Sequence, residues 1–128
     1  MWSFWEHIND WWDARHLPNL LLVHYADLIG NKREEAERIA HFLGLDWTSS
    51  VGDMVCQYSS LDYMKFHSDK FQPPGRFKPN TFINKGINGR WKDLLTDRQI
   101  RYYEDLIYQK LEPDCADWIM NGGHLSIG

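Results

Sequence analysis

Cysteines and metal-binding patterns are scarce in this 128-residue sequence. Cys56 and Cys115 lie far apart and neither belongs to a C-x-x-C pair, so we expect two reduced, mostly buried thiols. A disulfide between them is the alternative. The six histidines are scattered, without H-E-x-x-H or H-x3-H spacing. We therefore expect no metal site, and the sequence supports no Ser-His-Asp assignment.

The sequence also lacks an overall excess of basic charge. Its 14 Lys and Arg residues against 18 Asp and Glu residues give a formal net charge of −4, which argues against bulk nucleic-acid binding. The first residues, MWSFWEHINDWW, have no basic region and include Glu6 and Asp10, so neither a signal peptide nor a transmembrane helix fits. We expect a cytoplasmic protein with no membrane partner.

Positive charge is nevertheless concentrated in one segment. Every charged residue from 70 to 92 is basic, and prolines and glycines gather in the same stretch. Segment 67–93 shows no periodicity, and a compact domain rarely keeps so long a loop without a functional reason. The composition therefore predicts an anion-binding loop over 67–93, whose basic residues are Lys70, Arg76, Lys78, Lys85, Arg90 and Lys92.

Capping signals and apolar periodicity predict a mostly helical chain. S-F-W-E at 3–6 begins a helix that ends before Pro18, and N-K-R-E at 31–34 begins another that ends at Gly44. T-D-R-Q at 96–99 begins a last helix, ended by a proline. Two shorter helices are expected, with these alternative N-caps: Thr48 or Ser49, and Ser59 or Ser60.

The run NLLLVHY at 19–25 is the best strand candidate, because it is short, continuous and apolar, which is typical of a buried parallel strand. Phe82 and Ile83 are candidates for a short second strand. Unpaired buried backbone groups cost about 1 to 3 kcal/mol each, so such a strand requires neighbours. We therefore expect an α/β domain whose other strands come from an absent segment or a partner chain. The alternative is that 19–25 is a buried helical piece.

Four segments of the sequence have counterparts, in the same order, in one enzyme family. S-F-W-E-H-I-N-D-W-W is similar to S-W-[FY]-x-H-V-x-x-W-W, and L-L-L-V-H-Y-A-D-L is similar to a strand ending in Y-E-D-[ML]. K-R-E-E-A-E-R-I-A-H-F-L-G is similar to the helix that follows, and K-G-I-N-G-R-W-K to the signature R-K-G-x-x-G-D-W-K. These segments resemble the C-terminal half of the cytosolic sulfotransferases, which transfer a sulfuryl group from 3′-phosphoadenosine 5′-phosphosulfate (PAPS) to an acceptor.

The resemblance implies a P-loop-like three-layer α/β fold, of which residues 1–128 form one partial domain, mostly helical, with a single core parallel strand at about 19–25. It implies that the loop 67–93 covers the nucleotide. The R-K-G part of the signature binds the 3′-phosphate in the family, a role that falls here on Asn84, Lys85 and Gly86. A lysine supplies charge, and a glycine lets backbone N–H groups approach the anion.

The remaining ligand contacts implied by the resemblance concern the adenine. Tyr25 stands where the family has the tyrosine near the adenine, and Ser59, Ser60 and Leu61 stand where it has T-S-F. Asn84 replaces the first arginine of the signature and removes a bidentate donor. Arg90, in place of the aspartate of the signature, is the nearest candidate to compensate.

The family's phosphosulfate-binding loop and general-base histidine precede these motifs and have no counterpart here. We therefore assign no catalytic residue and expect this chain alone to be inactive. Sulfuryl transfer to a small-molecule hydroxyl or amine acceptor is expected only when the chain is joined to the missing N-terminal half of the domain. The N-K-G-x-N-G-R-W form is similar to bacterial members. The dimer motif K-x-x-x-T-V-x-x-x-E is only half kept, so we do not expect the family's dimer. The alternative function is a non-catalytic module that binds a phosphorylated nucleotide or a partner protein.

Overall fold

The computed structural model describes residues 3–71, 83 and 86–125, which fall into two compact units. The first unit comprises Met1–Gly30 and Gly89–Gly128, and the second comprises Asn31–Asn88. Within the described ranges the regular structure is helical and no β-strand occurs. The mostly helical character predicted for this part of the α/β fold is confirmed.

The bounds of the described helices are α1 Phe4–Asp13, a 3-10 helix Ala14–His16, α2 Tyr25–Gly30, α3 Lys32–Phe42, α4 Ser49–Tyr58, α5 Leu61–Phe66, α6 Ser68–Phe71, a 3-10 helix Arg90–Asp93, α7 Asp97–Lys110 and α8 Pro113–Asn121. The five predicted helices occur in the predicted order as α1, α3, α4, α5 and α7, but α7 is not the last, because α8 follows it, and α2, α6 and two 3-10 helices were not predicted.

Side-chain caps explain where several of these helices begin. Ser3 and Glu6 form a reciprocal capping box at α1, and Thr96 forms another at α7. Thr48 is the N-cap of α4, and Ser60 is the N-cap of α5. Of the predicted alternatives, Thr48 rather than Ser49 caps α4, and Ser60 rather than Ser59 caps α5. In each case the hydroxyl of the capping residue accepts a hydrogen bond from a backbone N–H of the first turn.

The core of the first unit joins helices from the two ends of the sequence. Trp12 of α1 is buried together with Ile107 of α7 and with Cys115 and Ala116 of α8. Leu111, between the last two helices, completes this cluster. Both cysteines of the chain are free, as predicted, but only Cys115 is buried, whereas Cys56 is partly exposed.

The second unit is held together by polar contacts between α3 and α4. Arg33 donates to the Asp53 carboxylate at 2.6 Å and to the Ser49 carbonyl oxygen at 2.9 Å. Gly52 allows this approach, because a Cβ there would lie 2.9 Å from the Arg33 guanidinium carbon. Glu35 is fully buried, and its carboxylate accepts a bond of 2.6 Å from Arg38.

The prediction of a strand over 19–25 is wrong for the residues described. Residues 20–24 have no regular secondary structure, and Tyr25 already begins α2. The Leu20 N–H donates to the Leu17 carbonyl oxygen at 3.1 Å, which closes a turn. A strand requires a ladder to a neighbouring strand, and the described ranges contain none. The side chains at 20–24 are half-buried rather than buried.

The segment 67–93 is not a loop throughout, because α6 covers Ser68–Phe71 and a 3-10 helix covers Arg90–Asp93. Residues 72–82, 84 and 85 lie outside the described residues, as does Phe82 of the second candidate strand. None of the helices described has the length and hydropathy needed to span a bilayer.

Candidate functional site

Five of the seven predicted nucleotide-binding residues are described by the structure. Ser59, Ser60 and Gly86 belong to the second unit, whereas Tyr25 and Arg90 belong to the first. The other two, Asn84 and Lys85, lie outside the described residues.

In the second unit, Gly86 of the signature lies close to residues 59–61, which are called the serine segment below. Gly86 has a φ of +60°, a left-handed conformation that favours glycine. A Cβ built at Gly86 would lie 3.3 Å from Cδ2 of Leu61, the residue that follows Ser60. The backbone conformation at position 86 therefore favours glycine, and a larger residue would also require the Leu61 side chain to shift by a few tenths of an ångström.

The hydroxyls of Ser59 and Ser60 are both hydrogen-bonded to the backbone at the junction between α4 and α5. The Ser59 hydroxyl donates to the Val55 carbonyl oxygen at 2.6 Å, and the Ser60 hydroxyl accepts from the Tyr63 N–H at 3.2 Å. A hydroxyl has one donor and two acceptor positions. Ser59 therefore retains acceptor capacity, and Ser60 retains its proton for a further acceptor.

Lys32 is a contact of this junction that the sequence did not indicate. Its ammonium donates to the Ser59 carbonyl oxygen at 2.8 Å and thereby places a cation beside the serine segment. Lys32 is the first residue of α3. No periodicity or motif links position 32 to position 59, so only the packing of α3 reveals the contact.

The α3–α4 pair that presents this junction is held by a charged hydrogen bond. The bond from Arg33 to the Asp53 carboxylate raises the pKa of the Arg33 guanidinium above its usual value. The side chains of both residues are exposed. Surface pairs of this kind contribute little free energy, so the pair fixes geometry more than stability.

In the first unit, Tyr25 is presented at the start of α2 with 57% of its surface exposed. Its neighbours along the chain, His24 and Asp27, are hydrogen-bonded to residues near the C-terminal end of α8. An exposed ring on a fixed backbone is suited to stack on a planar ligand.

Arg90 begins the 3-10 helix Arg90–Asp93, directly after Gly89, which has a φ of +79°. Arg90 is exposed, so its guanidinium is accessible to an anion. The described ranges contain no group of three or more His, Cys, Asp or Glu residues that could hold a metal ion.

Comparison with known proteins places these features in a family. Residues 1–113 match the family model described as "Sulfotransferase domain". The chain is 31% identical over 113 residues to the 3-alpha-hydroxysteroid sulfotransferase of Cavia porcellus, covering 85% of this chain and 39% of that protein. It is 32% identical over 116 residues to the glycolipid sulfotransferase of Mycobacterium bovis, covering 87% and 35%.

A solved structure shares the fold. The crystal structure of mouse sulfotransferase SULT7A1 complexed with PAP matches with a TM-score of 0.77 at 20% sequence identity, over 94% of this chain and 46% of that chain. The chain thus spans less than half the length of each of these proteins. The match to the family model runs from α1 to the first residue of α8. This chain belongs to the sulfotransferase family.

Proposed function

We propose that this chain forms the C-terminal part of a bacterial, cytoplasmic sulfotransferase domain that transfers a sulfuryl group from PAPS to a hydroxyl or amine acceptor. The observation that carries the proposal is the close approach of Gly86 to the Leu61 side chain, which lies 3.3 Å from where a Cβ at position 86 would be. Within one compact unit, Gly86 of the signature proposed for the 3′-phosphate thus lies near the segment proposed for the adenine. The mouse sulfotransferase of similar fold, which is complexed with PAP, supports the nucleotide assignment.

Each site residue then has a distinct role toward the nucleotide. Lys85 supplies a cation to the 3′-phosphate, and Gly86 lets the loop backbone approach it. Asn84 contributes an amide hydrogen bond where the family has a charged one, and Arg90 supplies a second cation. Tyr25 is proposed as an adenine contact on the basis of the resemblance, and so are Ser59 and Ser60.

Chemistry at the sulfur requires groups that we do not assign within this chain. The acceptor oxygen or nitrogen attacks sulfur, its proton passes to a base, and 3′,5′-bisphosphoadenosine (PAP) leaves with the bond electrons. The described residues bind and orient the nucleotide in this proposal. The base and the phosphosulfate loop are expected from the N-terminal half of the domain.

Calorimetric titration with PAP tests the proposal, using the protein expressed from its full coding sequence. Lys85→Ala is expected to weaken PAP about ten- to hundredfold, the equivalent of one charged hydrogen bond. Lys110→Ala is the matched control, because Lys110 is an exposed lysine in the last turn of α7. A protein that does not bind PAP, or equal affinities in the two variants, would contradict the proposal. Sulfation of an acceptor panel from PAPS distinguishes the enzyme from a non-catalytic binding module.

A further inference from the structure

The segment after residue 113 lies beyond the match to the sulfotransferase domain, yet it is an integral part of the first unit. Cys115 and Ala116 of α8 are completely buried in the core of that unit. The residues that follow α8, 122–125, are called the tail below. The segment after residue 113 is therefore part of the folded core of the first unit.

His24 is tied to the end of α8 through its ring. The Ala26 N–H donates to Nδ1 of His24 at 3.2 Å, so this nitrogen is the acceptor of the ring. Nε2 lies 3.0 Å from the Ile119 carbonyl oxygen, which can only accept, so Nε2 carries the proton. The Trp118 ring packs edge-on against His24 at a centroid distance of 5.4 Å. These contacts fix both the tautomer and the orientation of the imidazole.

Asp27 is hydrogen-bonded to the tail. Its carboxylate accepts a bond of 2.7 Å from the Gly123 N–H, and the Gly123 carbonyl oxygen accepts one of 2.8 Å from the Trp118 indole. Gly122 has a φ of +74°, and a Cβ there would lie 2.8 Å from both the Asp27 carboxylate and His24 Nδ1. Only glycine allows the tail to pass so close to these two side chains.

Tyr25 lies between these two anchors in the sequence. Its ring is exposed, whereas His24, just before it, is hydrogen-bonded to α8, and Asp27, two residues after it, is hydrogen-bonded to the tail. Fixing a backbone before a ligand arrives removes an entropic cost from binding. We propose that α8 and the tail are a positioning device for Tyr25, with His24 and Asp27 as positioning residues and Gly122 as the residue that permits the contact. The inference rests on the proposed contact of Tyr25 with the nucleotide.

Gly122→Ala tests this directly, because the added methyl group must push Asp27 or His24 aside. We expect PAP affinity to fall about five- to thirtyfold, the equivalent of ordering one backbone residue at the moment of binding. Gly44→Ala is the matched control. Gly44 has a similar φ of +68°, but a Cβ there meets nothing within 4 Å, so its PAP affinity is expected to be unchanged.

A double-mutant cycle separates positioning from a general loss of structure. In a Tyr25→Ala background, Gly122→Ala is expected to cause no further loss of PAP affinity. Protection of the buried Cys115 thiol from alkylation verifies that α8 remains docked in each variant. If Gly122→Ala does not fold, Asp27→Ala removes the acceptor of the Gly123 N–H without adding bulk and is expected to give the same pattern.

The outcomes distinguish the inference from the proposed function. Loss of affinity in Tyr25→Ala but not in Gly122→Ala or Asp27→Ala would overturn the positioning role alone. If Gly122→Ala lowers PAP affinity in the Tyr25→Ala background by the same factor as in the wild type, the positioning role is overturned as well. The tail would then act on binding through the overall structure and not through Tyr25. A wild-type protein that does not bind PAP, or that binds it equally well after Tyr25→Ala, would overturn both.

Discussion

The Lys32 ammonium donates a hydrogen bond of 2.8 Å to the carbonyl oxygen of Ser59. This bond connects the first turn of α3 to the junction before α5, where Ser60 caps the helix. It therefore places a cation beside the segment that we propose for adenine binding.

Lys32→Met is expected to weaken PAP binding modestly, by about threefold at low salt, because the cation lies on an exposed surface and is screened. The unfolding free energy should fall by no more than about 1 kcal/mol. Calorimetric titration at two salt concentrations measures the effect, which should shrink at high salt. Lys65→Met, an exposed lysine of the same unit, is the control. A salt-independent loss would contradict an electrostatic role.

Ser60 combines a cap with a proposed ligand contact, and two substitutions separate these roles. Ser60→Ala should lower the unfolding free energy by about 1 kcal/mol, whereas Ser60→Gly should lower it by only a few tenths. Both remove the hydroxyl, so both should weaken PAP about two- to tenfold. Chemical denaturation and PAP titration measure the two effects. Thr48→Gly removes a comparable cap and should leave PAP affinity unchanged. A loss of PAP affinity in Thr48→Gly equal to that in Ser60→Gly would contradict the ligand contact.

The capping box of α1 predicts a specific response to acid. The Ser3 backbone N–H donates to the Glu6 carboxylate at 2.7 Å and, with the Ser3 hydroxyl, lowers the pKa of Glu6 below its ordinary value. A lowered pKa means that the folded state favours the ionised form. The stabilisation is therefore present above about pH 4.5 and is lost as the pH falls through the folded-state pKa.

Urea unfolding at a series of pH values from about 3 to 7 measures this response. Glu6→Gln is the matched comparison, because a glutamine oxygen can also accept the Ser3 N–H but does not titrate. The difference in stability between wild type and Glu6→Gln should change in favour of the variant as the pH falls. A constant difference across the series would show that Glu6 ionisation does not contribute.

Features encoded locally were the easiest to predict from the sequence. The capping boxes at Ser3 and Thr96 lie within a few residues of the donors that they satisfy, and the helices begin there. The family was also predictable, because its motifs are short and ordered. The strand at 19–25 was not, because an apolar run defines a strand only when a neighbouring strand supplies a ladder.

Long-range contacts account for the parts of the site that the sequence did not indicate. Nothing near Lys32 points to Ser59, and nothing near Asp27 points to Gly123, although each pair is hydrogen-bonded. The signature indicated Gly86, but nothing near it in the sequence indicated its closeness to Leu61, 25 positions earlier. Such pairings depend on tertiary packing rather than on local pattern.

The core of the first unit has a consequence for biosynthesis. Trp12 is buried against residues that are made more than a hundred positions later, among them Cys115 and Ala116. A ribosome makes about 5 to 20 residues each second, so the nascent chain exposes the aromatic face of α1 for several seconds before its partners emerge. This apolar face of α1 is therefore open to chaperones during translation until α8 has been made.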